Sequence, residues 1–154
     1  MDLILEAIHR LKNDGLEFNF TMVIPTMPAG FHQLIRESIE EKSIYDIVEI
    51  KSDLDWEELL QNILNANAVV IPSYSEGFCF TAVETMALDI PIISSGKGAL
   101  KEVVSGQYIE MKSQDAKGLT EALQEAMEGN WTITEQRRFR LSDSIEKYLS
   151  LIHI

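Results

Sequence analysis

One cysteine, Cys79, is all the thiol this chain carries. That excludes an internal disulfide and a cysteine-built zinc cluster, and it fits a reducing compartment. Histidine is scarce too: His9, His32 and His153 lie far apart in the chain, and no metal-ligand spacing is legible, so no metal site is expected. Positive charge is in short supply, with 13 basic residues against 25 acidic ones and a net charge of -12. Such a surface repels a phosphate backbone, which argues against nucleic acid as a partner. No run approaches the ~20 apolar residues of a membrane span, so no transmembrane segment is expected. Near the start, Asp2 and Glu6 stand where a signal peptide would carry positive charge and an unbroken apolar run. The expectation is a cytoplasmic protein forming one domain over residues 1–154.

What is present is globular: 45% of residues are hydrophobic and 25% charged. Leu3, Ile4, Ala7, Ile8 and Leu11 recur at helical spacing until Asn13-Asp14-Gly15 stops them. The run FNFTMVI, closed by Pro25 and Pro28, reads as a buried strand over about 18–24. A helix is expected over about 30–42 with Leu34, Ile35 and Ile39 as its apolar stripe, then a strand over 45–50. Ser52 or Asp53 would cap the next helix, whose Trp56, Leu59, Leu60, Ile63 and Leu64 share one face. Further strands are expected near 68–72, 91–95 and 107–110, and further helices near 80–88, 116–127 and 134–151. Short strands alternating with longer helices describe βαβ units, hence an α/β protein with a parallel sheet covered on both faces.

The stretch PSYSEGFCFTAVETMA, residues 72–87, lies where an apolar strand gives way to a helix. In a parallel α/β sheet, ligands sit beyond the carboxyl ends of the strands. The first turn of a helix there offers unpaired N–H groups and the positive end of its dipole, which suit a phosphate. Gly77 removes a side chain that would block close approach. Glu76 precedes the helix and Glu84 lies within it, up to about 12 Å further along the axis. That separation is too long for two carboxylates sharing one glycosidic bond. It suits holding two ends of an extended ligand. Cys79 reads as a nucleophilic thiol or as a small packed residue, and the lack of an adjacent histidine favours the second. Lys97, between Gly96 and Gly98, reads as a phosphate contact or as a solvated lysine.

The block NANAVVIPSYSEGFCFTAVETMALDIPIISSGKGALKEVV resembles the nucleotide-sugar half of family-four retaining glycosyltransferases (glycosyl transferases group 1), which have the GT-B fold. It shares their apolar strand, Pro-Ser, Glu-Gly-Phe, the seven residues between two glutamates, and a Gly-rich turn before Leu100 and Glu102. A looser likeness runs from about residue 3 to residue 128. The resemblance implies a Rossmann-like, three-layer α/β/α donor-binding domain with a mainly parallel sheet, of which about five strands are visible here. It implies that Glu76 faces the donor sugar as the catalytic carboxylate and that Glu84 accepts hydrogen bonds from ribose hydroxyls. Gly77, Phe78, Cys79 and Phe80 would meet the sugar and diphosphate through backbone N–H groups. The implied reaction moves a hexose from a nucleotide diphosphate sugar to an acceptor with retention, in bacterial polysaccharide or lipopolysaccharide assembly. No cofactor is implied. The implied partners are the nucleotide-sugar and a missing amino-terminal acceptor domain, through which peripheral membrane contact would come. On that reading the 154-residue chain transfers no sugar by itself.

The chain departs from the family pattern at several points. Cys79 stands where glycine is usual, Thr85 for alanine, Asp89 for glycine and Lys101 for proline. The Arg/Lys pair that neutralises the leaving diphosphate in such enzymes belongs before the first helix, and Arg10 and Lys12 match neither member. The resembled sheet runs 3-2-1-4-5-6, so the strand preceding the opening helix is central. The strands near 18–24 and 68–72 would flank it. Their bare edges are expected to pair directly, or else to accept a strand from a neighbouring molecule. The alternative of another class is a nucleotide-binding or regulatory domain, receiver-like and without transferase activity, although no aspartate cluster marks the strand ends.

Overall fold

The computed structural model describes residues 2–26 and 28–139. Helices and strands alternate through α1 (Asp2–Asn13), β1 (Phe20–Ile24), α2 (Ala29–Glu41), β2 (Val48–Ser52), α3 (Trp56–Leu64) and β3 (Val69–Ile71). They continue through α4 (Phe80–Ala87), β4 (Ile92–Ser94), α5 (Leu100–Val103), β5 (Gln107–Glu110), α6 (Ala116–Met127) and β6 (Thr132–Ile133). The α/β class expected from periodicity holds.

Pairing is parallel between β1 and β2, between β3 and β4, and between β4 and β5. The short β6 joins β5 antiparallel, Tyr108 opposite Thr132. At two residues, β6 is too short to show an alternation, which is why the sequence did not reveal it. The four-stranded sheet carries helices on both faces. Ile93, Ile109 and Met111 pack with Ala7 and Leu11 of α1 and with Leu119, Ala122 and Leu123 of α6. Ile71 and Ile92 pack with Ala82 and Met86 of α4 and with Leu100 and Val103 of α5.

The two sheets are separate: β1-β2 and β3-β4-β5-β6. The expected direct pairing of β1 with β3 does not occur. What joins the halves is α1. It supplies Ala7 and Leu11 to the larger half, and it supplies Leu5 and Ile8 to the cluster formed with Met22, Ile24, Ile35, Ile39 and Ile44. Leu5, Ile8 and Leu11 are fully buried, each favourable by roughly 1.5–3 kcal/mol of transfer free energy. Closing the strands together would disturb packing on both sides of this helix.

Helix ends show how local chemistry sets boundaries. After α1, the Gly15 N–H donates to Lys12 O at 2.9 Å and the Leu16 N–H to Leu11 O at 3.1 Å, a Schellman cap with Gly15 at φ +78°. The same pair of bonds closes α4 around Asp89, at φ +56°, with Asp89 N–H to Met86 O at 2.9 Å and Ile90 N–H to Thr85 O at 3.1 Å. Helix α3 is capped by Asp55, not by Ser52 or Asp53. Glu58 N–H donates to Asp55 Oδ1, and Asp55 N–H donates to Glu58 Oε2, both at 2.9 Å. Ser52 instead ends β2, which begins at Val48 because residues 44–47 form a turn closed by Val48 N–H to Ile44 O at 3.0 Å. The expected apolar face of α3 is only partly used: Ile63 is buried, whereas Trp56 and Leu64, near its two ends, stay 57% and 45% exposed. Leu34 of α2 is likewise exposed. Of the helix expected over 134–151, residues 134–139 are non-helical, and the remainder lies outside the described residues.

Candidate functional site

The chain leaves β3 at Ile71 and reaches α4 at Phe80 through the loop that holds Glu76, Gly77, Phe78 and Cys79. The first half of this loop is tied to neighbours at two carbonyls. The Ser73 carbonyl accepts Ser95 Oγ–H at 2.6 Å and the Gln114 amide at 2.7 Å. The Glu76 carbonyl accepts the Ala99 N–H at 3.1 Å. The Gly-rich loop after β4 is therefore the floor on which Glu76 rests. Its shape is set by buried serines: Gly96 N–H donates to Ser94 Oγ at 3.1 Å and Lys97 N–H to Ser95 Oγ at 3.3 Å.

Gly98 is required twice. Its φ is +57°, and a Cβ there would lie 2.9 Å from Glu76 O and 3.0 Å from Glu76 N. Gly77 differs: a Cβ there would meet nothing within 4 Å, and its backbone needs no positive φ. Space in front of Gly77 is open on the protein's side.

Cys79 occupies the cap position of α4 at φ +64°, ψ +77° and makes no side-chain capping bond. Its carbonyl accepts the N–H groups of Ala82 at 3.1 Å and Val83 at 3.4 Å. The first N–H groups of α4, on Phe80 and Thr81, meet no acceptor among the described residues, the state expected of a helix mouth that can hold an anion. Burial pushes the Cys79 thiol above its ordinary value, the Ala82 N–H opposes this, and the charges of Glu76 and Glu84 raise it further. A thiol so placed is a poor nucleophile. Glu76 lies on the loop and Glu84 within α4. Both glutamates are partly buried.

Of the sequence-nominated residues, Glu76, Gly77, Phe78, Cys79 and Phe80 lie in one continuous turn, and Glu84 lies on the helix that this turn opens. Thr85 is fully buried and its hydroxyl donates to the Thr81 carbonyl at 2.6 Å, so the departure from alanine leaves no orphaned group. Lys97 is exposed on the Gly-rich loop. Arg10 and Lys12 lie on α1 and are engaged elsewhere, Arg10 with Glu6 at 3.1 Å and Lys12 with Asp46. His9 is structural, its Nδ1–H donating to Lys42 O at 2.8 Å. Among the described residues no cluster of His, Cys, Asp or Glu could hold a metal, and no helix is long and apolar enough to cross a membrane. Ser95, Gln114 and Phe139 were not legible as contributors. Phe139, whose ring stands edge-on to Phe78 at 5.4 Å between centroids, comes from far along the chain.

Comparison with known proteins bears on the family and the fold. The sequence model of the family described as "Glycosyl transferases group 1" matches residues 1–147. The chain is 39% identical over 101 residues to the MMP alpha-(1->4)-mannosyltransferase of Mycolicibacterium hassiacum, which covers 66% of this chain and 24% of that protein. It is 28% identical over 109 residues to the D-inositol 3-phosphate glycosyltransferase of Streptomyces coelicolor, over 67% of this chain and 24% of that one. Among solved structures, sucrose-phosphate synthase from Thermosynechococcus elongatus superposes with a TM-score of 0.69 at 26% identity, over 80% of this chain and 33% of that chain. The chain thus spans about a quarter of the length of these two curated relatives, 24% in each case. The match sets the receiver-like alternative aside, and the Rossmann-like architecture is that of a GT-B glycosyltransferase domain. By the extent of the family match, the chain belongs to the glycosyl transferases group 1 family.

Proposed function

We propose that this chain is the donor-binding part of a retaining hexosyltransferase that uses a nucleotide diphosphate sugar. The observation that carries the reading is the mouth of α4. Among the described residues the N–H groups of Phe80 and Thr81 are unpaired, the space at Gly77 is open, Glu76 lies on the loop before the helix and Glu84 within it, all beyond a parallel strand. N–H groups at a helix start favour a diphosphate. Ionised carboxylates are pure acceptors and therefore suit hydroxyls: Glu76 toward the sugar, Glu84 toward the ribose. Gly77, Phe78, Cys79 and Phe80 present backbone to the ligand. In this reading no metal or cofactor is used, and the cations that offset the leaving diphosphate come from outside this chain.

Sugar transfer needs an acceptor-binding part as well, and the acceptor is contributed there. The mannosyltransferase relative supports a hexose donor. The setting proposed with it is bacterial polysaccharide or lipopolysaccharide assembly at the cytosolic side. The test is a saturation-transfer NMR screen of the chain against UDP-, GDP- and ADP-sugars, repeated with Glu84→Ala. Nucleotide-sugar signals that weaken in the variant are expected. Absence of binding by all three classes would remove the reading.

A further inference from the structure

Past β6 the chain runs as a strap, residues 134–139, from the C-terminal end of α4 and α5 to the loop before α4. Thr134 N–H donates to Gly106 O at 2.8 Å, and Gly106 N–H donates back to Thr134 Oγ1 at 3.1 Å. The Gln136 amide reaches the carbonyl of Met86 in α4. Arg137 N–H donates to the buried Ser105 Oγ at 2.9 Å, and its guanidinium donates to the Glu102 carbonyl at the end of α5. The strap then delivers Phe139 to Phe78, edge-on, at 5.4 Å and 84° between ring planes. Phe78 in turn meets Phe80 at 5.1 Å and 67°.

Core formation does not explain this trio. Phe139 is 44% exposed, Phe78 37% and Phe80 71%, and none belongs to a buried cluster. The rings touch one another at the surface, around the turn that bears Glu76, Gly77 and Cys79. In this turn Gly77 has open space before it, and Cys79 sits in the left-handed region without a side-chain cap, its thiol packed against the α4–α5 core. On the opposite side the Ala99-to-Glu76 hydrogen bond pins it. Phe78 is the residue of this turn that Phe139 meets.

We propose that Phe139 is a positioning residue. Acting through Phe78, it holds the backbone from Gly77 to Phe80 so that the N–H groups of the helix mouth converge on the diphosphate. The role rests on the donor-site reading above.

The test uses the 154-residue chain as wild type, Phe139→Ala and Phe139→Tyr, plus Thr134→Ala as a control that loosens the strap away from the rings. Titration calorimetry with UDP, GDP and ADP identifies the nucleotide that binds wild type. Phe139→Ala should weaken that binding by about three- to tenfold, the range a lost aromatic pair gives. Phe139→Tyr, which keeps an edge-on ring, should restore it, and the loss should exceed that in Thr134→Ala at an equal melting temperature. Without nucleotide, amide exchange over residues 76–80 should quicken in Phe139→Ala. Unchanged affinity or unchanged exchange in Phe139→Ala overturns the positioning role alone. An affinity loss that merely tracks melting temperature across the variants overturns it as well. Failure of wild type to bind any of the three nucleotides overturns the donor reading, and the positioning role with it.

Discussion

The Ala99 N–H donates to the Glu76 carbonyl at 3.1 Å, so the loop after β4 sets the height of the carboxylate-bearing turn after β3. The contact needs a glycine beside it, since a Cβ on Gly98 would press on the Glu76 backbone at 2.9 Å. Gly98→Ala should therefore cost on the order of 1–3 kcal/mol, part left-handed strain and part overpacking, and should weaken nucleotide binding as Glu76 moves. Gly77→Ala should be within about 0.5 kcal/mol of wild type in stability yet also bind less, because its added methyl points into ligand space. Denaturant melts and calorimetry on the two variants separate these outcomes. Tight binding by Gly98→Ala would break the link.

The two carboxylates should be distinguishable. Glu84→Ala should weaken nucleoside diphosphate binding, whereas Glu76→Ala should mainly erase the preference for nucleotide-sugar over bare nucleotide. Each loss is on the order of 1–3 kcal/mol. Calorimetry with paired ligands, such as UDP and UDP-glucose, reads both effects. Indistinguishable profiles for the two variants would remove their assigned roles.

Asp89 closes α4 at φ +56°, a conformation that glycine adopts without steric cost. Asp89→Gly should stabilise the chain by roughly 1 kcal/mol. Cys79→Gly relieves the same kind of strain at φ +64°, but it also removes a thiol packed against the α4–α5 core, so its gain should be smaller. Thermal melts that rank Cys79→Gly above Asp89→Gly would contradict the packing account.

Asp115 caps α6, its carboxylate accepting the Gly118 N–H at 2.8 Å. That bond, followed by the Ser113 hydroxyl, holds the Asp115 carboxyl below its ordinary value of 3.8. A carboxyl lowered on folding adds stability above its unfolded value, and this is lost as pH falls through the folded value. Asp115→Ala should therefore be less stable than wild type at neutral pH, and the gap should shrink on acidification below about 3.8. A gap that is constant with pH would show that the cap acts without its charge.

Among the described residues the outer edges of β1 and β3 have no partner, and such edges are ready templates for another strand. The isolated chain should self-associate with rising concentration, seen as a climbing weight-average mass in sedimentation equilibrium. A concentration-independent monomer would show that these edges are protected.

Much of the site was legible because it is local. Strand exit, Glu-Gly-Phe and the helix with Glu84 are contiguous in sequence, and their chemistry follows from the order of residues alone. Cys79 and Asp89, marked as departures from glycine, turn out to be the two left-handed positions flanking α4. The contributions of Ser95, Gln114 and Phe139 were not legible, since each reaches the loop from a distant segment through a contact that no periodicity encodes. The α3 cap was missed for a different reason. Asp53 and Asp55 are equally good residues in isolation, and the reciprocal bonds with Glu58 decide between them.

That α1, and no backbone ladder, joins the two sheets has a consequence for how the molecule comes apart. Side-chain packing can be released in portions, whereas a continuous ladder resists as a whole. The pair β1-β2 with α2 and the block from β3 to β6 are then two cooperative unfolding units that share one helix. Native-state hydrogen exchange should show the smaller unit opening at lower free energy, with the amides of α1 protected until the larger unit opens. Every residue of the proposed donor site, from Ser73 to Phe139, belongs to the larger unit. The nucleotide grip can therefore outlast the melting of the β1-β2 unit.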